Sequence, residues 1–542
     1  MANVSKASPA CIIPRVCRPC SRPPRQKKRP LAASSSSSSP SSPSMSFGVD
    51  LGTTNSAAAL VTTDSGAMRI LCAPNAHGRT TTPSVVSYLR EDNQEEVSVL
   101  VGRDAQERAN SDTRNTFRSI KRFLGRSMLD VIHGGMCSGD AEKVHELVPF
   151  QLNGSLDDKL GHINCTVACP ALGRDLKCEE VSAEILAVLK RDVSKQAGCD
   201  VEQAVIAVPA YFDARQREAT REACKLAGID LLRIVDEPTA AAVAYGYGRR
   251  PGGEDETSAW WDEVRHTLGW ASAPSELAAK EDDLLLCVFD LGGGTCDVSL
   301  LACGDGVFEV LSTAGDSQLG GDDFDQRIAS VLLGEISATH GESTAAAIRG
   351  DATSMALLVK AAEEAKVSLS TEHETTVILE TLNHTDGDCK VLLTREQMQA
   401  ACAPLIARCI KVLLEAFEDA ETTEGDPFTP RMLDGVILVG GATSMPIVRS
   451  AVAGFCTGGK PGTLGDPNDA IFAKARVDPD EAVALGAAIH AASLSNSGVN
   501  RRDVVVLDDQ MGLEEIQLLE AKMDETMRRS GLQGLNFDND VL

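Results

Sequence analysis

Short apolar runs alternate with longer segments of helical periodicity along most of this chain. In the segment from Cys178 to about Gln196, apolar residues recur on one helical face and charged residues occupy the other, which predicts an amphipathic helix. The apolar run Val205–Val208 follows and ends at Pro209, as expected of a buried strand. This alternation predicts an α/β protein, and 542 residues exceed one ordinary core, so we expect more than one lobe.

Two loops rich in glycine and threonine follow predicted strands. Loop 1, Asp50–Asn55, reads D-L-G-T-T-N and follows Phe47–Val49; loop 2, Asp290–Asp297, reads D-L-G-G-G-T-C-D and follows Leu284–Phe289. Glycines let backbone N–H groups approach phosphate oxygens, threonine hydroxyls add donors, and a carboxylate can hold a hydrated cation or a water. Two such loops facing each other are expected to grip a nucleotide triphosphate from both sides, and the two halves read as a duplicated lobe.

Two segments interrupt this pattern. Residues 249–283 are rich in Asp, Glu and Ala, contain all three tryptophans and predict a short amphipathic helix, which either packs on its own lobe or docks a protein partner. Near the C-terminus, the run Val504–Leu507 resembles a linker and precedes a second predicted amphipathic helix. Only 34 residues follow Asp508, too few for another independent domain.

The N-terminal 46 residues contain eight Lys or Arg, no Asp or Glu and a serine-proline tract. This composition is typical of organelle transit peptides and predicts a leader over 1–45 and a location in the plastid, the chloroplast stroma, with mitochondrion or cytosol as alternatives. An ordinary disordered tail has the same composition, and Lys27–Arg29 also fits a nuclear signal.

Charge excludes two classes of partner. The net charge is −26, and removing the leader leaves 44 basic against 78 acidic side chains, a net charge of −34. Such an acidic body argues against nucleic acid and anionic membranes as partners and favours basic protein surfaces. No stretch approaches the roughly 18 uncharged apolar residues that a bilayer span needs.

The 17 cysteines do not form a metal-binding pattern. Cys17 and Cys20 lack a second ligand pair, and the cysteines of the body read as reduced core residues. Cys296 is the exception, because it lies in loop 2, where we expect its oxidation to affect the nucleotide site.

A series of longer motifs surrounds the two loops. In chain order they are G-R-T-T-T-P-S at Gly78–Ser84, I-K-R-F-L-G-R at Ile120–Arg126, A-V-P-A-Y-F at Ala207–Phe212, Q-R-E-A-T at Gln216–Thr220, D-E-P-T-A-A-A at Asp236–Ala242, G-G-D-D-F-D at Gly320–Asp325, L-V-G-G-A-T at Leu438–Thr443 and D-P-D-E-A-V-A-L-G-A-A at Asp478–Ala488. Together, from about Ser46 to about Ser495, they resemble the nucleotide-binding domain of the heat shock protein 70 chaperone family. Asn55 is similar to the DnaK type.

The resemblance implies a two-lobed actin-like ATPase fold, in which duplicated ribonuclease H-like lobes surround a nucleotide cleft. The predicted domains are the leader 1–45, lobe I at 46–248, the Trp-containing insert 249–283, lobe II at 284–477, a helix returning to lobe I at 478–500, and a linker-like segment with a C-terminal helix at 501–542. A peptide-binding β-domain is not recognisable after the linker, so we expect no ordinary clamping of unfolded peptide.

The resemblance also implies ATP or ADP, Mg²⁺ and K⁺ in the cleft, with these residues around them. The expected catalytic residues are Lys121, Glu237, Asp50, Asp290, Thr295 and Asp297. Of these, Asp50 and Asp290 are expected to hold the metal mostly through water. The nucleotide is expected to contact Gly52, Thr53, Thr54, Asn55, Gly292, Gly293, Gly294, Gly320, Gly321, Glu363, Lys366, Ser370, Gly440, Gly441, Ser444 and Asp480. Pro209 and Arg217 resemble elements that report nucleotide state, although a strand-ending proline and a solvated arginine look the same in sequence.

The chain departs from the family at the adenine. Members usually hold the base between two arginines, whose places are taken here by Val367 and Ser444. Each lost cation–π contact is worth roughly 0.5–2 kcal/mol, so we expect ATP to bind about tenfold to several hundredfold more weakly.

The sequence thus predicts a slow ATPase that acts in ATP-dependent protein folding or as a nucleotide switch, together with a J-domain cochaperone and a nucleotide exchange factor. The alternative is a non-catalytic module that binds a protein partner through the insert 249–283 or the C-terminal helix. A small-molecule kinase fits less well, because nothing resembles a sugar-binding insert.

Overall fold

The computed structural model describes residues 45–64, 67–90, 97–109, 111–133, 148, 150–157, 162–246, 284–304, 307–379, 389–420, 428–458, 461–473, 477–495 and 505–506. The predicted leader up to residue 44, the insert 249–283 and the C-terminal helix lie outside these residues. Within the described ranges, no helix has both the length and the apolar character required to cross a membrane.

The strands alternate with the helices, as the apolar pattern predicted. The strands are β1 Ser46–Asp50, β2 Asn55–Asp64, β3 Ala67–Cys72, β4 Thr81–Pro83, β5 Val85–Arg90, β6 Val97–Val101, β7 Thr116–Arg118, β8 Leu152–Asp157, β9 His162–Cys169, β10 Arg174–Lys177, β11 Gln203–Val208, β12 Asp230–Asp236, β13 Leu284–Leu291, β14 Cys296–Gly304, β15 Val307–Asp316, β16 Glu374–Leu379, β17 Cys389–Thr394, β18 Gly435–Val439 and β19 Val505–Val506. The helices are α1 Arg103–Arg108, α2 Met128–His133, α3 Cys178–Ala197, α4 Ala214–Leu226, α5 Glu237–Ala244, α6 Gly321–His340, α7 Glu342–Gly350, α8 Ala352–Thr371, α9 Arg395–Glu418, α10 Pro446–Cys456 and α11 Ala482–Leu494, with 3-10 turns at Ile120–Arg122, Pro430–Met432 and Gly441–Ser444.

Two sheets repeat one topology. In the first, the strand order is β12-β11-β1-β2-β3, with β4 on β2; in the second it is β18-β13-β14-β15-β19. In each, a strand (β1 or β13) pairs in parallel with a later strand (β11 or β18) and antiparallel with the next strand of the chain. Loop 1 joins β1 to β2 and loop 2 joins β13 to β14, so the predicted duplication is visible in the strand order.

Helix α11 comes from the end of the described chain and packs against β1, β2 and α5. Its approach is close because both partners are small: a Cβ on Gly48 of β1 would overlap the backbone at Ala488, and one on Gly486 would overlap Ala240. The alanine-rich motif of α11 therefore serves backbone-to-backbone packing beneath loop 1.

The hydrophobic core follows the same division. One cluster surrounds Phe47, Phe117 and Leu186 in the first half, and another surrounds Phe289 and Phe324 in the second. A third cluster, rich in alanine, lies between α5, α11 and the two sheets. The predicted amphipathic helix is confirmed as α3, whose Val181, Ile185 and Leu189 are buried.

Candidate functional site

The two loops meet. Gly293 of loop 2 lies so close to Thr54 of loop 1 that a Cβ on the glycine would overlap the threonine side chain. Arg122, from the 3-10 turn of the first half, donates from Nη2 to the Gly294 carbonyl oxygen at 2.5 Å. The loops therefore face each other across a cleft, as their repetition in the sequence predicted.

The cleft is open to solvent and encloses about 950 Å³ of space between protein atoms, part of it open solvent. Both loops line it, together with Lys121, Glu237 and the aspartates at the strand ends. The lining also includes Asn55, Gly440 and Asp480 among the predicted nucleotide contacts. Thr54 Oγ1 is buried and has no hydrogen-bond partner in the described part of the chain.

A buried ion pair stands at the centre of the cleft. Lys121 Nζ lies 2.5 Å from Glu237 Oε1, and the two side chains are only 9% and 11% exposed. Ser119, just before the 3-10 turn, adopts a left-handed backbone with φ of 57°, which is uncommon for a residue other than glycine and aims the turn at the cleft. Glu237 begins α5 directly after β12, so sheet and turn together fix the pair.

Three aspartates surround this pair. Asp50 ends β1, and Asp290 and Asp297 lie opposite each other on β13 and β14. Burial, with the nearby Glu237 carboxylate second, raises the pKa of Asp50 to about 7 and that of Asp297 to about 7, and raises the pKa of Asp290 well above its usual value. Four carboxylates thus share one lysine, and their excess negative charge suits cations.

The start of α6 supports loop 2 from behind. The Gly321 N–H donates to the Gly292 carbonyl oxygen at 2.9 Å, and the Asp322 N–H donates to the Gly293 oxygen at 2.8 Å. A second buried pair holds α8 against this point: Lys366 Nζ lies 2.8 Å from Asp325 Oδ1 and 3.3 Å from the Gly321 oxygen. Burial raises the pKa of Asp325 to about 6, although Lys366 opposes that rise.

The wall where the resemblance places the base is open. Val367 on α8 is 65% exposed, and Glu363 and Ser444 are exposed as well. The Ser370 hydroxyl donates to the Lys366 carbonyl oxygen, one helical turn earlier, at 3.0 Å. The predicted base contacts Glu363, Ser370 and Ser444 are not among the residues that line the cleft between the loops.

One alternative and one expectation from the sequence are contradicted. The alternative that Arg217 is an ordinary solvated arginine is wrong, because it is buried, donates to the Phe212 carbonyl oxygen and pairs with Asp236 at 2.7 Å. Cys296 is fully buried, and its thiol is hydrogen-bonded with Cys409 in the core. That hydrogen bond, together with burial, raises the pKa of Cys296 well above its usual value, so this thiol is poorly suited to react with an oxidant.

Sequence reasoning gave no role to Arg122, Arg126 or Gln216, although all three line the cleft. They occurred only inside motifs quoted for the resemblance. The sequence signal that could have identified the arginines is their closeness to the predicted catalytic Lys121: Arg122 follows it directly, and Arg126 lies one short turn later.

The linker-like run forms a short strand. Val505 and Val506 pair in parallel with Val307 and Phe308 at the edge of the second sheet. The predicted helix that follows lies outside the described residues.

Comparison with known proteins agrees with this architecture. A family model described as Hsp70 protein matches residues 46–531, which extends past residue 495, where the resemblance was expected to end. The chain is 38% identical over 464 residues to the chaperone protein dnaK of Gracilaria tenuistipitata var. liui, covering 85% of this chain and 62% of that protein. It is 37% identical over 475 residues to the stromal 70 kDa heat shock-related protein, chloroplastic, of Pisum sativum, covering 86% and 56%.

The chain therefore spans less than two thirds of the length of these relatives. The family model covers most of the chain, and the two sheets carry the repeated topology that the resemblance implied. Family and fold class are confirmed: this chain belongs to the Hsp70 family and has its two-lobed, actin-like ATPase fold.

Proposed function

We propose that this chain binds ATP in the cleft between loops 1 and 2 and hydrolyses it slowly to ADP and phosphate. The observation that carries the proposal is the buried Lys121–Glu237 pair, set among three aspartates where the loops meet. Phosphoryl transfer to water needs positioned groups and balanced charge, and little covalent work by the protein.

Each group has a defined task in this proposal. The backbone N–H groups of the loops, with Thr53, Thr54 and Thr295, contact the phosphate oxygens. Lys121 donates to the γ-phosphate and to the attacking water, while Glu237 and Asp297 orient the water and accept its hydrogen bonds. Because Glu237 already fixes Lys121 before a nucleotide arrives, the ammonium needs little reorganisation.

The carboxylates fit the cations that the family resemblance implies. Asp50 and Asp290 would hold Mg²⁺ mostly through water, and K⁺ would lie beside the same carboxylates. The described residues contain no group of three acidic, His or Cys side chains arranged to bind a metal directly. Bound cations would spread the charge of the β- and γ-phosphates.

The biological role that we propose is ATP-dependent protein folding, or a nucleotide switch coupled to a J-domain cochaperone and an exchange factor. The names of the relatives, chaperone protein dnaK and stromal heat shock-related protein, support this role and a place in the plastid stroma. N-terminal sequencing of the protein recovered from isolated plastids tests the location. We expect a start near residue 46, whereas an intact Met1 would contradict the predicted leader.

Single-turnover hydrolysis of ATP tests the activity. Replacing Lys121 with alanine removes a cation from the transition state, and we expect the rate to fall by about 10²–10³-fold. Lys195→Ala, an exposed change at the end of α3, is the control and should hydrolyse ATP at the unaltered rate. The absence of Lys121-dependent turnover would favour the non-catalytic module.

A further inference from the structure

A tyrosine at the end of α5 reaches from the first half of the chain to the second sheet. Tyr245 follows the last residue of α5, and its hydroxyl donates to the Leu438 carbonyl oxygen of β18 at 3.1 Å. Glu237 begins the same helix, so α5 connects the buried Lys121–Glu237 pair at one end to β18 at the other. The hydrolysis proposed for the cleft gives this second contact no task.

The acceptor lies on the outer side of an end strand. β18 is the last strand on its side of the second sheet, so the backbone groups that face away from β13 need partners from elsewhere. The Val436 N–H donates to the Ile471 carbonyl oxygen, and the Ala473 N–H donates to the Val436 carbonyl oxygen, each at 2.8 Å. Alternate residues of a paired strand turn their backbone groups to the same side, so the Leu438 carbonyl also points outward. There the Tyr245 hydroxyl takes the place of a neighbouring strand.

This contact lies directly before the cleft. Leu438 is followed by Val439 and Gly440, and both of these line the cleft. Gly440 has a φ of 80°, so the chain turns sharply here, and its N–H donates to the Pro479 carbonyl oxygen at 3.1 Å. Two hydrogen bonds to residues outside the second sheet thus hold the outer side of β18 at its end. The position of Gly440 in the cleft lining therefore depends on Tyr245.

We propose that Tyr245 is a positioning residue, whose hydroxyl fixes the end of β18 and so holds the cleft-lining Gly440 in place for nucleotide binding. The inference rests on the proposed function, since that function assigns the nucleotide to the cleft. Tyr245 is not among the residues that line the cleft, so it acts through β18 and not by contact with the nucleotide. Because Lys121 holds Glu237 at the other end of α5, loss of the hydroxyl should weaken binding and leave the hydrolysis step unaltered.

Titration calorimetry of ADP with Mg²⁺ into the full chain tests this role. Tyr245→Phe keeps the ring and removes only the hydroxyl, and the loss of one hydrogen bond of ordinary strength should weaken ADP binding by about three- to tenfold. The single-turnover rate at saturating ATP should stay within about twofold, since the Lys121–Glu237 pair is intact. Tyr88→Phe removes a tyrosine hydroxyl from β5, outside the second sheet and the cleft lining, and should leave ADP affinity unaltered.

A contact that only stabilises the fold gives a different result. Tyr245→Phe would then melt at a lower temperature and bind ADP as tightly as the unaltered chain, and this outcome would overturn the inference. A fall in the saturated hydrolysis rate as large as the fall in affinity would also overturn it, because Tyr245 would then act on the reacting groups.

Hydrogen exchange provides a measurement that needs no nucleotide. In the nucleotide-free chain, amides from Leu438 to Gly440 should exchange at least about threefold faster in Tyr245→Phe, and at the unaltered rate in Tyr88→Phe. Equal exchange in all three proteins would show that the hydroxyl does not fix β18. If the unaltered chain binds no ADP, the proposed function is wrong, and the exchange rates still decide whether Tyr245 positions Gly440.

Discussion

Two buried lysine–carboxylate pairs lie near the phosphate loops, but their surroundings differ. Lys121 and Glu237 line the cleft among three further aspartates with raised pKa values. Lys366 and Asp325 have similar exposure, yet they join α8 to the start of α6 and are not among the residues that line the cleft.

The first pair stands in a site with excess negative charge, and the second completes a structural contact. Excess carboxylate charge destabilises the free protein and is relieved by cations that arrive with a nucleotide. An exposed apolar side chain such as Val367 carries no charge, so cations have no comparable effect there. If the proposed function holds, the contrast predicts that nucleotide binding depends mainly on the phosphates and their metal ions, with little contributed by the base.

The largest effect is expected from acid, through the helix beneath loop 1. Burial lowers the pKa of His490 on α11 to about 3, and neither ring nitrogen has a hydrogen-bond partner among the described residues. The unfolded chain binds a proton below about pH 6.5 while the folded chain does not, so stability falls as the pH drops from 6.5 towards 3. Between pH 6.5 and 4.5 this histidine should cost about 2–3 kcal/mol.

Hydrogen exchange at stepwise lower pH measures this effect in β1 and α11. The raised pKa values of Asp50, Asp290 and Asp297 act in the opposite direction, because the folded chain binds protons there that the unfolded chain does not. The contribution of His490 is therefore the difference between the unaltered chain and His490→Leu. The variant lacks the proton site and two unsatisfied nitrogens, so it should be no less stable at neutral pH and should lose about 2–3 kcal/mol less on acidification. An acid response of β1 and α11 that is the same in the variant would show that His490 does not contribute to it.

The carboxylate excess predicts opposite effects on stability and activity. Asp290→Asn replaces one of four crowded carboxyl groups with a neutral amide and removes the repulsion that arises when Asp290 is ionised, so the protein without cations should melt at a higher temperature. The same change should raise the Mg²⁺ concentration required for half-maximal ATP hydrolysis by about 10- to 100-fold. Thermal melts with and without Mg²⁺ and an Mg²⁺ titration of the rate check both effects, with the exposed Asp419→Asn as control. A lower melting temperature for Asp290→Asn would contradict the idea that repulsion between these carboxylates destabilises the free protein.

The sequence predicted the phosphate wall better than it predicted its surroundings. Loops 1 and 2 and the alanine-rich α11 follow from local patterns, because glycine and alanine at fixed spacing have few structural uses. The burial of Arg217 and Cys296 did not follow, since both depend on partners distant in sequence, Asp236 on β12 and Cys409 on α9. The positions of Arg122, Arg126 and Gln216 in the cleft lining also depend on tertiary packing.

Contact between the loops can be broken with one methyl group. Gly293→Ala places a Cβ against the Thr54 side chain, and such overpacking costs about 1–3 kcal/mol. We expect roughly tenfold weaker binding of ATP and ADP, measured by titration calorimetry. Gly334→Ala on α6, where a Cβ has free space, should leave nucleotide affinity unaltered and stabilise the helix by about 0.5–1 kcal/mol. Equal nucleotide affinity in the two variants would mean that the loops need not touch in order to bind.

The smallest effect should come from the exposed wall. Val367→Arg supplies one of the two cations that the family usually places at adenine, at a position exposed enough to accept it without repacking. A cation over an aromatic face at an exposed site contributes about 0.5–1 kcal/mol, so ATP should bind about two- to fivefold more tightly. Leu357→Arg, another exposed apolar position on the same helix, controls for the added charge. If ATP affinity rises equally in both variants, the rise reflects attraction of the added charge to the triphosphate. If affinity rises in Val367→Arg alone, and rises less for a triphosphate without a base, the surface at residue 367 contacts the adenine.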